Sequence, residues 1–158
     1  SATVEASKYV GVTRHGTTAK VNGGVLIQTP DVTTAQEFID FYGLTVSRGY
    51  VIVFKAVGDD WKSAHGTCYV PGTIASCDDW EDGHTGCGHG LHFSPRPFMA
   101  LRYASDATRF VACKVKVADM VVIDDDYGTP DKAKARSCKV LHEVDQDGVP
   151  VPTVEAVA

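Results

Sequence analysis

Tyr50-Val51-Ile52-Val53-Phe54-Lys55-Ala56-Val57 is apolar at every position except Lys55. An apolar run of this length, closed by the turn residues Gly58-Asp59-Asp60, is typical of a strand that is buried on both faces. The sequence has mostly strand character from this segment onward. Residues 50–57 therefore predict the first long strand of a sheet.

The segment before this strand predicts a helix. Thr34-Ala35-Gln36-Glu37 has the spacing of a capping box, in which the threonine hydroxyl and the glutamate carboxylate each bind a free backbone amide. Apolar residues follow directly and supply one helix face, and Gly43 can end the helix in a left-handed conformation. Farther upstream, residues 20–28 predict a strand pair or one bulged strand around Gly23-Gly24.

Downstream of residue 57, short strands alternate with polar loops. Residues 67–70 and 91–93 predict short strands, and Ser94-Pro95 predicts the start of a second helix that ends near Ala104. Residues 71–90 form a long polar loop that is rich in glycine and histidine. Loops of this length are uncommon in compact domains and are often functional.

Two further strands complete the predicted sheet, over residues 109–117 and 138–144. The expected fold is α+β, with a mostly antiparallel twisted sheet and two main helices. With 158 residues the chain has the size of one domain. We divide this single domain into an N-terminal strand–helix extension (1–48), a core (49–144) and an irregular C-terminal arm (145–158).

Composition and charge exclude some classes of function. Fifteen Lys and Arg against twenty Asp and Glu give a net charge of −5. Broad nucleic-acid binding is not expected, because phosphate-backbone contacts need a basic face. No apolar run approaches the roughly 20 residues of a membrane-spanning helix, so no membrane partner is expected. Five irregularly spaced cysteines form a poor disulfide framework and indicate a reducing compartment.

The most distinctive stretch runs from residue 86 to residue 94. Three glycines within five residues, at 86, 88 and 90, allow a tight turn or a close approach of the backbone to a ligand. His92 alternates out of the short predicted strand, opposite to Leu91 and Phe93. Tyr103 lies 11 residues after His92, where the following helix can bring its ring back to the same cleft.

Several segments between residues 50 and 143 resemble an uncharacterised domain family of phages and prophages. They are Phe54-Lys55-Ala56-Val57, Tyr69-Val70-Pro71-Gly72, Cys87-Gly88-His89-Gly90-Leu91-His92 and the segment from Lys134 to Val140. A similar Cys-Gly-x-Gly-Leu-His segment occurs near the end of the rapid-lysis B protein of T-even phages. The resemblance implies an accessory or host-directed domain that acts in the host cytoplasm or in the virion.

Gly88-His89-Gly90-Leu91-His92-Phe93 also resembles the NAD-binding segment of ADP-ribosyltransferases of the poly-ADP-ribose-polymerase and diphtheria-toxin class. In that class two tyrosines sandwich the nicotinamide, and Ala100 stands where polymerase-type members place a nicotinamide-binding serine. The resemblance implies a reduced ADP-ribosyltransferase core with NAD as its ligand. The implied binding residues are His92 and Tyr103 at the two aromatic positions, together with Gly88, Gly90 and Ser94.

The same resemblance implies catalytic residues for nicotinamide displacement, by ADP-ribosyl transfer or NAD cleavage. An early His or Arg holds the nicotinamide ribose in this class, and two residues compete for that role. His15 begins a His-Gly-Thr tripeptide like that of the class, whereas Lys55 lies at a class-like distance before His92. Glu143 is the candidate for the late acid, which would stabilise the oxocarbenium-like ribosyl centre.

The sequence leaves a non-enzymatic alternative open: a virion component, or a module that binds a host or virion protein. In this alternative His92 and the glycines are structural. An open cleft around His92 and Tyr103 would favour nucleotide binding. A cleft filled by the chain's own side chains, or a large symmetric apolar interface, would favour the protein-binding module.

Zinc is possible but not favoured. Short-spaced ligand pairs are typical of structural zinc sites, and no Cys-x-x-Cys occurs in the sequence. The residues that invite the hypothesis are Cys68, Cys77, His84, Cys87, His89, His92 and Cys138. A basic cluster of Lys132, Lys134, Arg136 and Lys139 predicts an exposed strand face that offsets nearby aspartates.

Overall fold

The computed structural model describes residues 2–86, 89–125 and 128–153. The helices are α1 (Ala35–Tyr42) and α2 (Pro97–Ala100), and a 3₁₀ turn covers Val117–Asp119. The strands are β1 (Thr3–Glu5), β2 (Gly11–Arg14), β3 (Lys20–Asn22), β4 (Val25–Gln28), β5 (Val46–Ser47), β6 (Tyr50–Val57), β7 (Ile74–Ser76), β8 (Leu91–Phe93), β9 (Arg109–Lys116), β10 (Val121–Val122), β11 (Ala133–Ala135) and β12 (Ser137–Val144).

A five-stranded antiparallel sheet, in the order β5-β6-β9-β12-β7, carries most of the core. The strand predicted at residues 50–57 is confirmed as β6, and it pairs along its whole length with β9. Val51 and Val53 of β6 are fully buried, as are Val111 and Val115 of β9. With two helices and mostly antiparallel sheets, the predicted α+β class is confirmed.

A second antiparallel sheet, in the order β10-β11-β8, is joined to the first one by a β-bridge between β6 and the residue after β8. There Phe54 and Ser94 exchange two backbone N–H···O=C hydrogen bonds of 2.9 Å each. Lys55 adjoins Phe54 on β6, and His92 lies two residues before Ser94 on β8. The junction of the sheets therefore brings Lys55 and His92 to the same place in the fold.

Helix α1 begins and ends as its sequence predicts. Glu37 donates its backbone N–H to the Thr34 hydroxyl at 3.2 Å, and its carboxylate accepts the Thr34 N–H at 3.0 Å. Gly43 ends the helix at a φ of 59°. Phe38 and Ile39 are buried in the core. Neither α1 nor α2 is long enough to cross a membrane, and no other α-helix occurs among the described residues.

Two predicted elements between residues 67 and 104 are wrong. Ser94 does not cap a helix, because its backbone is taken up by the pairing with Phe54; α2 begins only at Pro97 and ends at Ala100, before turns that reach Tyr103. Residues 67–70 form no strand beyond the isolated bridge of Cys68 with Lys62. Both errors arise because local signals such as Ser-Pro suit a bend as well as a helix start.

The first four strands of the N-terminal extension form two small parallel pairs. Strand β1 pairs with β3, and β2 pairs with β4. The predicted strand pair at residues 20–28 is therefore two strands that pair with earlier segments and not with each other. Its apolar side chains stay at the surface, since Val25, Leu26 and Ile27 are 61%, 45% and 52% exposed.

The capping box of α1 yields a first prediction. Thr34→Ala removes the hydroxyl that accepts the Glu37 N–H, and it should lower the free energy of unfolding by about 1 kcal/mol. Thr18→Ala, at an exposed position outside the helices and strands, should leave the free energy of unfolding unchanged. Urea unfolding monitored by circular dichroism measures both, and equal stabilities for the two variants would contradict the capping role.

Candidate functional site

A cleft of about 620 Å³ lies at the junction of the two sheets. Its size falls within the roughly 300–1,000 Å³ that is usual for small-molecule sites. Residues of β6 and β8, of the turn after α2 and of the loop before β8 line it. The lining residues include Lys55, Asp79, His92, Ser94, Tyr103 and Lys132.

Lys55 forms part of the wall of the cleft. It has the same parity on β6 as the buried Val51 and Val53, so its side chain points to the inner face of the sheet. Its ammonium donates a hydrogen bond of 2.9 Å to the His92 carbonyl and lies 5.5 Å from the centre of the Tyr69 ring. Burial lowers the pKa of Lys55 to about 8, because desolvation disfavours the charged amine.

His92 lies beside three lysines. Burial, followed by the charges of Lys55, Lys132 and Lys134, lowers the pKa of His92 to about 4. The imidazole is therefore neutral at pH 7. Its Nε2 atom is buried and has no hydrogen-bond partner among the described residues. A neutral imidazole with a free ring nitrogen can still exchange a hydrogen bond with a ligand.

Tyr103 is fixed at the opposite wall by charged neighbours. Its hydroxyl donates to the Asp131 carboxylate, which also accepts a hydrogen bond of 2.8 Å from Arg102. Burial and this hydrogen bond raise the pKa of Tyr103 above its usual value. The Lys132 ammonium lies 4.2 Å from the centre of the Tyr103 ring and donates to the Gly86 carbonyl at 3.2 Å. One face of the aromatic ring therefore already contacts a cation.

Lys134 corrects the prediction of an exposed basic face at residues 132–139. It pairs with His92 across β11 and β8, and its side chain is fully buried. Its ammonium lies 5.3 Å from the centre of the Trp80 ring and has no hydrogen-bond partner among the described residues. Lys139 and Arg136 are exposed, as predicted. The cluster is thus divided between the surface and the interior.

Gly90 lets Trp80 cover this lysine. Its φ of +128° is strained for any residue with a side chain, and a Cβ atom there would lie 3.0 Å from the Trp80 ring and 3.3 Å from Lys134 Cδ. The sequence predicts that Gly90 lets the backbone approach a bound ligand closely. In the structure the close approach is to Trp80.

At the mouth of the cleft, His89 and Asp79 form an exposed pair. His89 Nδ1 and Asp79 Oδ2 are 2.6 Å apart. This hydrogen bond raises the pKa of His89 and lowers the pKa of Asp79. The pair joins the two ends of the loop that carries Trp80.

The structure brings together only part of the predicted site. Lys55, His92, Tyr103, Gly90 and the buried Ser94 all line the cleft, and Gly88 lies outside the described residues. Glu143 does not line it, and its carboxylate accepts a hydrogen bond of 2.9 Å from Arg109. His15 lies in the N-terminal extension, where it faces the Thr29 hydroxyl at 2.9 Å.

Sequence reasoning missed Lys132, Lys134, Trp80, Asp79 and Asp131 as parts of this site. The one local signal was the position of Lys134 between two alanines of a short strand, since small flanking residues are typical of a tightly packed segment. The candidate zinc ligands do not assemble within the described ranges: residues 2–86, 89–125 and 128–153 contain no cluster of three His, Cys, Asp or Glu side chains suited to a metal ion.

The sequence profile of the DUF7666 family, a domain of unknown function, matches residues 51–151. This match covers more than half of the chain and includes every strand of the cleft. The chain belongs to the DUF7666 family. No curated protein and no solved structure matches it.

The neutral state of His92 gives a prediction on pH. The unfolded chain protonates this histidine near pH 6.5, whereas the folded chain protonates it near 4. Between these values the unfolded chain binds more protons, so this group lowers the stability as the pH falls from 6.5 to 4. Denaturation at several pH values should show a smaller loss over this window for His92→Gln than for the wild type. The variant of the exposed His142, His142→Gln, should behave as the wild type.

Gly90→Ala tests the contact with Trp80. The positive φ and the crowded Cβ together should lower the free energy of unfolding by about 1–3 kcal/mol and displace the indole. Gly83→Ala, in the same loop with open space around it, is the control. Tryptophan emission and urea unfolding check both, and an unchanged emission maximum in Gly90→Ala would contradict the contact.

Proposed function

We propose that this chain is a phage-type accessory domain that binds a nucleotide such as NAD in the cleft between its two sheets. The observation that carries the proposal is an open cleft of about 620 Å³ lined by both His92 and Tyr103. An open cleft around these residues is the feature that separates nucleotide binding from the alternative of a filled, purely structural junction. The resemblance of residues 50–143 to phage and prophage proteins supports the accessory role.

The cleft offers the groups that a nucleotide needs. Tyr103 presents an aromatic surface for a base, and such stacking contributes about 1–3 kcal/mol per base. Lys55 and Lys132 supply positive charge for phosphates. Ser94 is buried at the junction, and its neighbourhood is therefore held rigidly.

The geometry supports binding better than it supports ADP-ribosyl transfer. Transfer in the class that the sequence resembles needs a carboxylate beside the nicotinamide ribose. Glu143 is held by Arg109 away from the cleft, and His15 lies in the N-terminal extension. Among the described residues that line the cleft, Asp79 is the one carboxylate, and it is paired with His89. We therefore propose nucleotide binding as the function and treat NAD cleavage as an outcome of the test.

Proton NMR of NAD mixed with the purified chain tests this proposal. We expect the NAD resonances to broaden, and Tyr103→Ala to weaken binding about tenfold or more through loss of stacking. Tyr9→Ala, at an 84% exposed tyrosine, should bind as the wild type does. The absence of broadening with NAD, ADP and ADP-ribose would overturn the proposal.

The same spectra test catalysis. Free nicotinamide that appears with the wild type and disappears with Glu143→Gln would give Glu143 the catalytic role that the sequence resemblance implies. Broadening of NAD without nicotinamide release, unchanged in Glu143→Gln, is the result that the geometry favours.

A second candidate function rests on the N-terminal extension. Val25 and Ile27 lie on one face of strand β4 and Leu26 on the other, and all three are about half exposed, so β4 presents apolar side chains at the surface. We propose, as the alternative to nucleotide binding, that this surface binds a protein of the host or the virion. Loss of binding to a host or virion protein in Ile27→Lys, with that binding retained in the exposed control Thr18→Lys, would support this alternative. Equal binding by both variants would exclude this surface.

A further inference from the structure

Three lysine ammonium groups lie close to one histidine, and one of them, Lys132, also lines a second cavity with Asp124, Asp125 and Asp131. Lys55, Lys132 and Lys134 each act electrostatically on the His92 ring. Within residues 2–86, 89–125 and 128–153, none of these lysines forms an ion pair with a carboxylate. Among the described residues, the ammonium groups contact neutral groups: they donate hydrogen bonds to the carbonyls of His92 and Gly86, and they lie over the rings of Tyr69, Tyr103 and Trp80.

Lys134 makes this excess of charge costly for the folded chain. Its side chain is fully buried, and its ammonium has no hydrogen-bond partner among the described residues. Buried charges in proteins are normally paired, because removing a charge from water without a partner is energetically unfavourable. The contact with the Trp80 ring at 5.3 Å offsets only part of this cost. A bound anion would supply the missing partner.

The charge also decides which part of a nucleotide lies here. The nicotinamide ring of oxidised NAD is a cation, and a position against His92 would place it among three lysines. A diphosphate is an anion and would be attracted to the same place. The neutral His92 ring can add one hydrogen bond through its free Nε2 atom.

We infer that the floor of the cleft is a phosphoryl-binding subsite, in which Lys55 and Lys132 bind the diphosphate of the nucleotide beside His92, and the buried Lys134 adds its positive charge from behind the wall of the cleft. This inference rests on the proposed function for the identity of the ligand, but the subsite is tested separately with inorganic pyrophosphate. Pyrophosphate carries the same chemistry without a base or ribose. Adenosine carries the base and ribose without phosphate.

Calorimetric titration of the full chain at constant ionic strength is the experiment. We expect pyrophosphate and ADP-ribose to bind and adenosine to bind much more weakly. Lys134→Met keeps the length of the side chain and removes its charge, and it should weaken pyrophosphate binding at least tenfold. The same variant should raise the midpoint of thermal unfolding without ligand, because it removes an unpaired buried charge.

Three further variants complete the test. Lys132→Met alters a partly exposed lysine of the cleft and should also weaken pyrophosphate binding at least tenfold. The subsite can therefore still be tested if Lys134→Met does not fold. Lys116→Met, at an exposed end of β9, should bind as the wild type does. Trp61→Phe leaves Trp80 as the single tryptophan, and because Trp80 lies against Lys134 its emission should change when pyrophosphate binds in the cleft.

The outcomes separate the subsite from the nucleotide. Pyrophosphate binding that is lost in Lys134→Met or Lys132→Met supports the subsite, even where NAD fails to bind and the nucleotide proposal falls. NAD binding without pyrophosphate binding overturns the subsite and leaves the nucleotide proposal standing. Equal affinities of pyrophosphate for the wild type, the two cleft variants and Lys116→Met also overturn it.

Discussion

The paired backbone hydrogen bonds between Phe54 and Ser94 fix where the two sheets meet. Strand β6 is anchored on its other edge by continuous pairing with β9, and β8 is anchored by β11. This bridge, together with the continuation of β11 into β12 through Arg136, therefore sets the position of one sheet relative to the other. Lys55 and His92 flank the bridge on the two strands, and the hydrogen bond from Lys55 to the His92 carbonyl strengthens the same junction. The cleft lies at this junction and is lined by residues of both strands.

The electrostatics of the cleft follow from this arrangement. Short strands place His92 and Lys134 opposite each other. Burial favours the neutral form of His92, and the Lys134 ammonium has no hydrogen-bond partner among the described residues. A chain selected for stability alone would place an apolar residue at position 134, between Ala133 and Ala135, since replacing a buried ion by an apolar group is often stabilising. Residues that break a local rule in this way are expected at functional sites.

Much of the fold was predictable because its signals are local. The capping box at Thr34, the left-handed Gly43 and the apolar run of β6 each depend on residues within a few positions of one another. The prediction of a helix start at Ser94 was wrong, because the backbone of Ser94 forms its hydrogen bonds with Phe54 of the distant strand β6. The predicted pairing in the N-terminal extension was wrong for the same reason. Strands β3 and β4 were predicted, but β3 pairs with β1 and β4 pairs with β2 instead of with each other.

The sequence by itself determined the α+β class, the long strand and first helix, and the candidates Lys55, His92 and Tyr103 for the site. Only the tertiary structure decided that Lys132 and Lys134 join these residues, and that Glu143 and His15 do not. The physical reason is that sequence patterns report on residues close together along the chain. Periodicity records which face of its own strand a side chain occupies, whereas the neighbours of that face depend on pairings between segments far apart in the chain.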